Sequence, residues 1–551
     1  MTWVRMVGPW IAALVATVAV LATIAPDVGG PGITCDEPYH VAYGKRLVWS
    51  LRQQGLKFFT PSRIRQNFDW QADGPPVHPP LGNWVLGATH HLFDPDPNDL
   101  AVVSVVAARF APAVALGLMV LLVGWATARS EGPWAGTVAA VAVFLVPRVF
   151  GHAHLAALDT FTALAMVAAI LAVADADTRG GRWWQFALAG LLWGLALLTR
   201  LHGFLLLPPV AIWVLWRRRW RGVGPLAAWL ASATAVFFAG WPWLWLNPLG
   251  NLRHFFSSAT SRLPIQVFYA GRVWPDASGA EVPRHYALVM FLVSVPVGLL
   301  VLGLVGIWAR RRLGQASSGH VLVIGTLLFL LVVFSLPGIP LYDGARLFLM
   351  LFPLWAIQVG IGARRLVELP AWRAWPARAR IATIAVLVGL QGTGLILYRP
   401  YHLSHYNLLV GGLWGAQRLG FEVTYWGDAV ADPILSQAAR KAPKQAIVYG
   451  PNLAQFQAPI VGASSAALEA SDTRLVGWDT NSPQEALGCR YGVFYHRKAD
   501  LGALPAELIQ GRVVAEVSRQ GVWLARLIEF SDPIGQGQLR HLVDTSPGPG
   551  R

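Results

Sequence analysis

Two adjacent acids, Asp36 and Glu37, follow an apolar run near the start of the 551-residue chain. Pro38 comes next, and an acid followed by a proline is typical of the first turn of a helix, where a carboxylate faces the positive end of the helix dipole. We therefore predict an acidic N-cap here. A carboxylate held still in this way can also accept a proton from a hydroxyl group, so the pattern is compatible with a catalytic base.

A third acid, Asp159, lies about one turn inside an apolar segment, where an unpaired carboxylate is costly. It therefore needs a cationic partner, a wet cavity or a metal ion. Arg109 is similarly placed in another apolar segment and could pair with it. His152 and His154 precede Asp159 and could bind a cation, although a His-x-His pair alone is a weak metal signature.

Three basic side chains stand at the ends of apolar segments. His78 precedes a helical pattern that begins at Leu81, and it serves either as a capping histidine or as a contact to an anionic group. Arg200 lies in a short turn between two apolar segments, and Arg346 lies in "LYDGARLFLMLFPLW". Such arginines either extend to lipid headgroups or form paired hydrogen bonds to a phosphate.

The composition predicts the setting of these residues. Hydrophobic residues make up 55% of the chain and charged residues 13%, and the mean hydropathy is +0.47. This balance is typical of an α-helical polytopic membrane protein. The formal net charge of +15 comes mostly from arginine clusters between apolar runs, so we attribute it to topology and expect no nucleic-acid binding.

Hydropathy predicts about eleven membrane-spanning helices. They lie near 7–25, 100–127, 132–149, 156–174, 184–199, 203–216, 223–246, 286–309, 320–336, 347–363 and 380–397. Every second connection carries arginines, and the positive-inside rule places those connections in the cytosol. The other connections, including a long first loop (26–99) and everything after residue 398, are then expected outside.

The first outer loop contains two amphipathic patterns, one from Pro38 onward and one from Leu81, which predict helices lying on the outer membrane surface. A cleaved signal peptide at the N-terminus is an alternative to an uncleaved first helix. Since either leaves Asp36 on the outer side, the prediction for the acid pair does not depend on this choice.

The region after the last apolar segment has a different composition. "QAIVYG", "TRLVGW" and "YGVFYHR" predict strands, "DPILSQAARKA" predicts a helix, and the chain around Gln520-Gly521 predicts a hairpin. We therefore divide the chain into a transmembrane domain (1–398), a small extracytosolic α/β domain (399–530) and a flexible tail (531–551).

Two cysteines, Cys35 and Cys489, exclude a disulfide scaffold and a multi-cysteine zinc site. One bridge between them is arithmetically possible, and two unrelated thiols are the simpler prediction. The chain has no Asn-x-Ser/Thr sequence, which together with the composition favours a bacterial cytoplasmic membrane.

Six motifs occur in an order that is similar to a known family. They are "DEPYHVAYG", "HPPLGNW", "GHAHLAALDT", "GLALLTRLHG", "YDGARLFLMLFP" and "LSHYNLLVGGLWGAQRLGFEVTYWGD". The chain through Asp428 resembles the GT-C membrane glycosyltransferases of family 39, the protein O-mannosyltransferase and aminoarabinose-transferase-like group. The resemblance implies a GT-C fold and a polyprenyl-phosphate-linked sugar donor. It also implies transfer on the outer face to a protein, lipid or polysaccharide acceptor.

The resemblance also implies roles for the residues above. Asp36 matches the catalytic base of an inverting transfer, and Glu37 is expected to orient the acceptor or a water molecule. The expected donor-phosphate contacts are Arg346 first, then Arg200, His78, Tyr342 and Asp343. Asp159, His152 and His154 are expected to shape the site. Because some relatives use a divalent metal ion, Asp159 and His154 are candidate ligands.

Two other functions remain open on the sequence. A lipid-linked-sugar transporter or flippase would place polar groups near the middle of the membrane, whereas here they cluster at the outer surface. A non-catalytic membrane protein that binds polyprenyl lipids would need the same outer contacts without a base. Replacing the base separates these alternatives.

Overall fold

The chain is helical over most of its length, and a mixed five-stranded sheet lies near its C-terminal end. A computed structural model describes residues 7–68, 78–94, 96, 98–100, 102–258, 265–274, 282–313, 318–372, 374–451, 453–478, 483–502 and 504–545. The apolar segments lie in the helical part, whereas the C-terminal part, which has a different composition, contains both helices and the sheet.

The predicted first outer loop is largely helical. Its helices follow α1 (Val7–Leu21) and are α2 (Asp36–Gln54), α3 (Pro61–Phe68) and α4 (Leu81–Phe93). The helices predicted from Pro38 and Leu81 are thus present as α2 and α4. They pack against each other at Gly44 and Gly87, where an added Cβ atom would lie 2.1 Å from a backbone oxygen of the other helix. Glycine at both positions therefore lets α2 and α4 approach closely.

The remaining helices of the apolar part form a bundle in which α5 packs against α1 and α6, α9 against α11, and α15 against α17. In order they are α5 (Val105–Glu131), α6 (Pro133–Phe144), α7 (Pro147–His152), α8 (Asp159–Thr178), α9 (Trp183–Leu197), α10 (Leu207–Arg218), α11 (Val223–Gly240), α12 (Trp243–Leu246), α13 (Pro248–Ser257), α14 (Tyr286–Ser294), α15 (Val297–Leu313), α16 (Ser318–Val333), α17 (Leu351–Val367), α18 (Ala377–Leu390) and α19 (Thr393–Leu397). A two-stranded antiparallel hairpin of β1 (Val267–Tyr269) and β2 (Arg272–Trp274) lies between α13 and α14.

Four helical segments in the described part of the chain are long and apolar enough to cross a membrane. They are Val105–Glu131, Asp159–Thr178, Leu201–Gly240 and Ala377–Leu397, and the bent pair α14–α15 makes a fifth if it counts as one span. Shorter apolar helices include α1, α6 and α9. The predicted number of eleven spans therefore stays a prediction. Pro147 divides one predicted span into α6 and α7, because proline lacks the N–H that a continuous helix needs.

The bend between α14 and α15, by 111°, leaves backbone carbonyls of α14 without helical partners. Asn407 satisfies them: its Nδ2 donates to the carbonyl oxygens of Leu292 at 2.7 Å and Val295 at 2.6 Å. Its backbone N–H also donates to the Val293 carbonyl at 2.9 Å. The motif "HYNLLVGG" thus has a structural task that the sequence did not reveal.

The C-terminal part confirms the predicted strands, helix and hairpin. After α20 (Gly412–Arg418), its elements are α21 (Asp432–Lys441), β3 (Ala446–Gly450), α22 (Ala458–Ala463), α23 (Ala466–Ala470), β4 (Arg474–Gly477), β5 (Tyr491–Tyr495), α24 (Lys498–Leu501), α25 (Ala506–Ile509), β6 (Arg512–Arg519), β7 (Val522–Glu529) and α26 (Gln536–Thr545). The strand order is β4-β3-β5-β7-β6, with β3 parallel to β4 and β5 and with β7 antiparallel to β5 and β6. Gln520 and Gly521 both have positive φ, which suits a two-residue hairpin turn.

The C-terminal segment that was predicted to be a flexible tail (531–551) contains the helix α26. Ile534, Leu539 and Leu542 are buried in a small core beneath the sheet. These apolar side chains recur on one side of the segment, so their packing can stabilise a helix there. The polar composition of the tail did not indicate this helix. Residues 546–551 of the predicted tail lie outside the described residues.

Both cysteines are free thiols, which confirms the simpler prediction. Cys489 is buried in the core shared with α26, whereas Cys35 immediately precedes α2. Each thiol therefore belongs to its own local packing environment.

Candidate active site

Asp36 is the first residue of α2, and Cys35 stands at the N-cap without a side-chain cap bond. The predicted acidic N-cap is therefore displaced by one residue, and the acid lies in the first turn. The Cys35 N–H donates to the Trp426 carbonyl at 3.1 Å, and Gln457 donates to the Cys35 carbonyl. Contacts from the C-terminal part thus fix the backbone that carries Asp36.

Arg346 lies in a short turn before α17 and is surrounded by three carboxylates. It forms ion pairs with Asp36, with Asp343 at 3.0 Å and with Asp159 at 3.4 Å. Its side chain is only 6% exposed, whereas that of Asp36 is 33% exposed. The guanidinium carbon lies 3.7 Å from the centroid of the Trp426 ring. The predicted acid and the predicted phosphate ligand are therefore in direct contact.

Two of the three carboxylates have a second arginine. Asp159 also pairs with Arg200, and Asp343 also pairs with Arg497 at 2.9 Å. Across the described residues, Asp36 pairs with no arginine other than Arg346. The three carboxylates and the arginines therefore form one network of ion pairs. Within it, Asp36 has a single arginine partner and is more exposed than Asp159 and Asp343.

The charges around Asp36 favour its ionised form. Burial raises the pKa of Asp36, but the Arg346 guanidinium outweighs this effect and holds the pKa below its usual value. Burial lowers the pKa of the neighbouring His40 to about 4, so this imidazole is neutral at pH 7. The Nδ1 atom of His40 is 3.2 Å from Oδ1 of Asn83, and its ring centroid is 6.0 Å from that of His78.

Glu37 has a different environment although it adjoins Asp36. Its carboxylate is fully buried and accepts two hydrogen bonds of 2.8 Å from Arg109, from Nε and Nη2. It also accepts bonds from the backbone and hydroxyl of Thr34 and from the backbone of Ala156. Both oxygens are therefore occupied, and the geometry gives no support to the predicted contact with an acceptor. Arg109, which was one possible partner of Asp159, is held by Glu37 instead.

The two histidines before Asp159, His152 and His154, have different neighbours. The His152 ring lies edge-on to Trp426 at 5.5 Å, and burial lowers its pKa to about 4. The His154 ring is held by Thr23 Oγ1 and the Phe150 carbonyl, both at 3.0 Å. Only His152 therefore adjoins the charged cluster.

The candidate metal ligands do not converge. Asp159 faces Arg200 and Arg346, whose positive charges oppose a metal ion. Both nitrogens of His154 have other partners. The residues that the structure describes contain no group of three or more His, Cys, Asp or Glu side chains that could hold a metal ion. Asp159 and His154 therefore do not fit the predicted metal role, and no step is assigned to a metal ion.

An apolar cavity of about 720 Å³ lies inside the bundle. It lies between α1, α4, α5, α8 and α9, and its lining includes Trp10, Val85, Leu118, Leu122, Ala165 and Leu195. Phe161 and Thr199 also line it, and they are neighbours in sequence of Asp159 and Arg200. Part of the lining of this apolar cavity therefore comes from residues within two sequence positions of Asp159 and Arg200.

The structure adds residues that the sequence analysis missed. His40 interacts with Asp36, and Asn83 contacts His40 because α2 and α4 pack together. Only the motifs that contain these two residues indicated a role for them. Arg497 follows a strand outside the region of family resemblance, so no local signal marked it. Trp426 belongs to the motif "TYWGD", for which the sequence suggested only that Trp426 or Asp428 lies near the acceptor; its contact with Arg346 was not predicted. Tyr342 lies 5.9 Å from Arg346, measured from its ring centroid to the guanidinium carbon, and so adjoins the predicted phosphate ligand.

The comparisons with known proteins agree with this architecture. Residues 77–245 match the family described as dolichyl-phosphate-mannose-protein mannosyltransferase. ArnT from Cupriavidus metallidurans in the apo state is similar with a TM-score of 0.52 and 16% identity, over 94% of this chain and 97% of that chain. ArnT from the same organism bound to undecaprenyl phosphate gives 0.49 and 14%, with the same coverage.

An archaeal oligosaccharyltransferase, AglB from Archaeoglobus fulgidus in complex with an inhibitory peptide and a dolichol-phosphate, gives a TM-score of 0.49 and 13% identity. The similarity extends over 90% of this chain and 70% of that chain. Among curated protein sequences, none matches this chain significantly. The family match and the fold of apo ArnT confirm the resemblance to GT-C family 39 that the sequence motifs indicated.

Proposed function

We propose that the protein is a membrane glycosyltransferase that moves a sugar from a polyprenyl-phosphate donor to a hydroxyl acceptor on the extracytosolic face. The observation that carries this proposal is the direct contact of Asp36 with Arg346, since the reaction needs a base and an anion-binding group at one point. The description of the matching family, which names dolichyl-phosphate-mannose and protein, supports a donor and an acceptor of this kind.

The reaction is a single displacement with inversion at the anomeric carbon. Asp36 takes the proton of the acceptor hydroxyl as its oxygen attacks the anomeric carbon. The bond between that carbon and the phosphate oxygen breaks, and the phosphate leaves with the electron pair. Arg346 neutralises the charge that develops on this oxygen, and Arg200 adds positive charge nearby. The proton ends on Asp36, and the polyprenyl phosphate is the second product.

Asp36 is the partner of Arg346 that can be exchanged for the donor phosphate. Asp159 and Asp343 are buried and each is fixed by a second arginine, so they keep Arg346 in place. When a phosphate takes the Arg346 bonds that Asp36 occupies, the pKa of Asp36 rises toward its ordinary value because its main stabilising charge is shared. The carboxylate then becomes a stronger base at the moment when the donor is bound.

The apolar cavity provides a place for the donor's hydrocarbon tail. It is lined mostly by aliphatic and aromatic side chains of α1, α4, α5, α8 and α9, and its lining includes Phe161 and Thr199, which are close in sequence to Asp159 and Arg200. A polyprenyl chain needs such an apolar surface, and its phosphate would then lie near the arginines. Charge and hydrophobicity therefore favour one orientation of the donor.

The two ends of the bundle differ in a way that supports an outward-facing site. Arg129 pairs with Asp175 at 2.8 Å and Arg218 with Asp177 at 2.6 Å, and both pairs lie at the end of α8 opposite Asp159. The positive-inside rule places this arginine-rich end in the cytosol. The C-terminal domain, which contacts the Asp36 end, is then extracytosolic, and a bacterial cytoplasmic membrane is the proposed location.

Asp36→Asn tests the proposal in reconstituted membranes supplied with radiolabelled polyprenyl-phosphate mannose and candidate acceptors. Loss of the base is expected to lower transfer by about 10²–10⁴-fold, while binding of undecaprenyl phosphate persists. Asp27→Asn, an exposed acid in the same outer loop, is the matched control and is expected to leave transfer unchanged. Wild-type transfer by Asp36→Asn would contradict the proposed base. Donor movement across the bilayer without transfer would instead indicate a flippase.

A further inference from the structure

Trp426 connects three parts of the candidate site. Its ring lies against the Arg346 guanidinium at 3.7 Å, and its Nε1–H donates to Asp343 Oδ2 at 2.6 Å. Its carbonyl oxygen accepts the Cys35 N–H, directly before Asp36. A single buried residue thus touches the proposed phosphate ligand, its carboxylate partner and the backbone of the residue before the proposed base.

Trp426 and Asp343 both adopt the left-handed backbone region, with φ values of 59° and 55°. This region is uncommon for residues other than glycine, asparagine and aspartate, and it is a genuine outlier for a bulky side chain. Such conformations persist when the surrounding contacts determine them, and they concentrate at functional sites. Here the two residues are joined by the indole–carboxylate hydrogen bond, so each holds the other's position.

The C-terminal domain holds Asp343 from its other side. Arg497 Nη2 donates to Asp343 Oδ1 at 2.9 Å, and Arg497 also pairs with Asp500. The backbone after Arg497 is fixed by Glu422, which accepts the N–H groups of residues 498 and 499 at 2.8 and 2.9 Å. Both oxygens of Asp343 are therefore held by residues that follow the last apolar helix.

The contact between Trp426 and Arg346 leaves the hydrogen bonds of the guanidinium available. An aromatic ring interacts with the face of a guanidinium, whereas carboxylate and phosphate oxygens bind to the N–H groups at its edge. Trp426 can therefore keep its contact while Arg346 changes its anionic partner from Asp36 to a phosphate. A carboxylate in the same place would compete with the phosphate for the same N–H groups.

We propose that Trp426 and Arg497 are positioning residues that hold Arg346 in its phosphate-binding orientation, so that the C-terminal domain forms part of the active site. Trp426 acts on the face of Arg346, and Arg497 acts through Asp343. Neither residue needs to touch the reacting atoms. This role rests on the proposed function, because it assigns the donor phosphate to Arg346.

The test compares binding of undecaprenyl phosphate with binding of undecaprenol, which has the same tail without the phosphate. The full-length protein is used in detergent or nanodiscs, and thermal unfolding is followed in parallel. Trp426→Leu is expected to lower the preference for the phosphate form about tenfold, since a desolvated cation–π contact is lost together with the bond to Asp343. Binding of undecaprenol is expected to stay within about twofold of wild type, because the tail lies elsewhere.

Three further variants separate positioning from general packing. Trp426→Phe keeps a ring and loses the indole N–H, so an intermediate loss of preference is expected. Arg497→Gln is expected to lower the preference for phosphate, and Arg497→Lys to restore part of it. Trp414→Leu is the matched control: Arg418 lies 3.7 Å over the Trp414 ring, and that tryptophan is 48% exposed on α20. No change in preference is expected there.

Three results would overturn the proposal in different ways. If Arg346→Gln abolishes the preference for phosphate while Trp426→Leu and Arg497→Gln retain it, the positioning role is wrong and the phosphate site remains. If Arg346→Gln itself retains the preference, the phosphate site of the proposed function is wrong and the positioning role falls with it. A variant that unfolds at a lower temperature but keeps the wild-type preference shows a structural role only, which also contradicts the proposal.

Discussion

Asp36 and Glu37 are adjacent acids on one helix, each paired with an arginine, yet their surroundings are opposite. The Glu37–Arg109 pair has no exposed surface, and both carboxylate oxygens are fully occupied by donors. Asp36 is one-third exposed and shares Arg346 with two other acids. A buried pair with complete hydrogen bonding stabilises one geometry, whereas an exposed acid with a shared partner can exchange it.

The two acids have different tasks in the structure. Arg109 also donates to the backbone carbonyls of Ile24, Pro31 and Gly32, so Glu37 and Arg109 together fix the chain that leads into α2. Asp36 then sits on a rigid support while its own side chain remains accessible. Catalytic carboxylates need such support, because a small displacement of the base lowers the rate.

Glu37→Gln is expected to have the largest effect on stability. It leaves the Arg109 charge buried without a carboxylate, which costs about 3–5 kcal/mol. Unfolding in detergent, followed by thermal or denaturant titration, measures this loss. The control is Glu368→Gln, because Glu368 pairs with Arg364 and Arg365 at a largely exposed position and such pairs contribute at most about 1 kcal/mol. Equal losses for the two variants would contradict the structural role given to Glu37.

Arg346→Lys is expected to lower transfer by about 10²–10³-fold, which is the usual effect of removing one donor that stabilises transition-state charge. Lysine keeps the positive charge but cannot form the paired bonds of a guanidinium or lie flat on Trp426. Steady-state kinetics with a polyprenyl-phosphate sugar measures this effect. Arg129→Lys, at the opposite end of the bundle, is the control. Wild-type kinetics for Arg346→Lys would show that the planar guanidinium is not required.

The smallest effect concerns pH. Because Arg346 holds the pKa of Asp36 below its usual value, the protein without donor keeps the Asp36 carboxylate ionised to lower pH. The acidic limb of kcat/KM, which reports the free enzyme, is therefore expected at lower pH than the acidic limb of kcat, which reports the donor complex. Profiles of both constants over the acidic range measure the difference. Coincident limbs, or the reverse order, would mean that the donor phosphate does not compete with Asp36 for Arg346.

Much of the architecture could be predicted from the sequence, because the patterns that encode it are local. The helices α2 and α4, the strands β3, β4 and β5 and the hairpin at Gln520-Gly521 all follow from spacing and turn residues within short windows. The prediction missed α26, whose stability comes from packing against the sheet rather than from its composition. The breaks in apolar segments, as at Pro147, also changed the lengths of the predicted spans.

The sequence by itself determined which residue types are available and that acids, histidines and arginines stand at the ends of apolar segments. It could not determine which acid meets which arginine. Adjacent residues on a helix point about 100° apart, so Asp36 and Glu37 face different neighbours. Their arginine partners lie 310 and 72 residues away in the chain. Only the tertiary packing of α2 against the bundle and the C-terminal domain decides this, because contacts at such separations depend on every element in between.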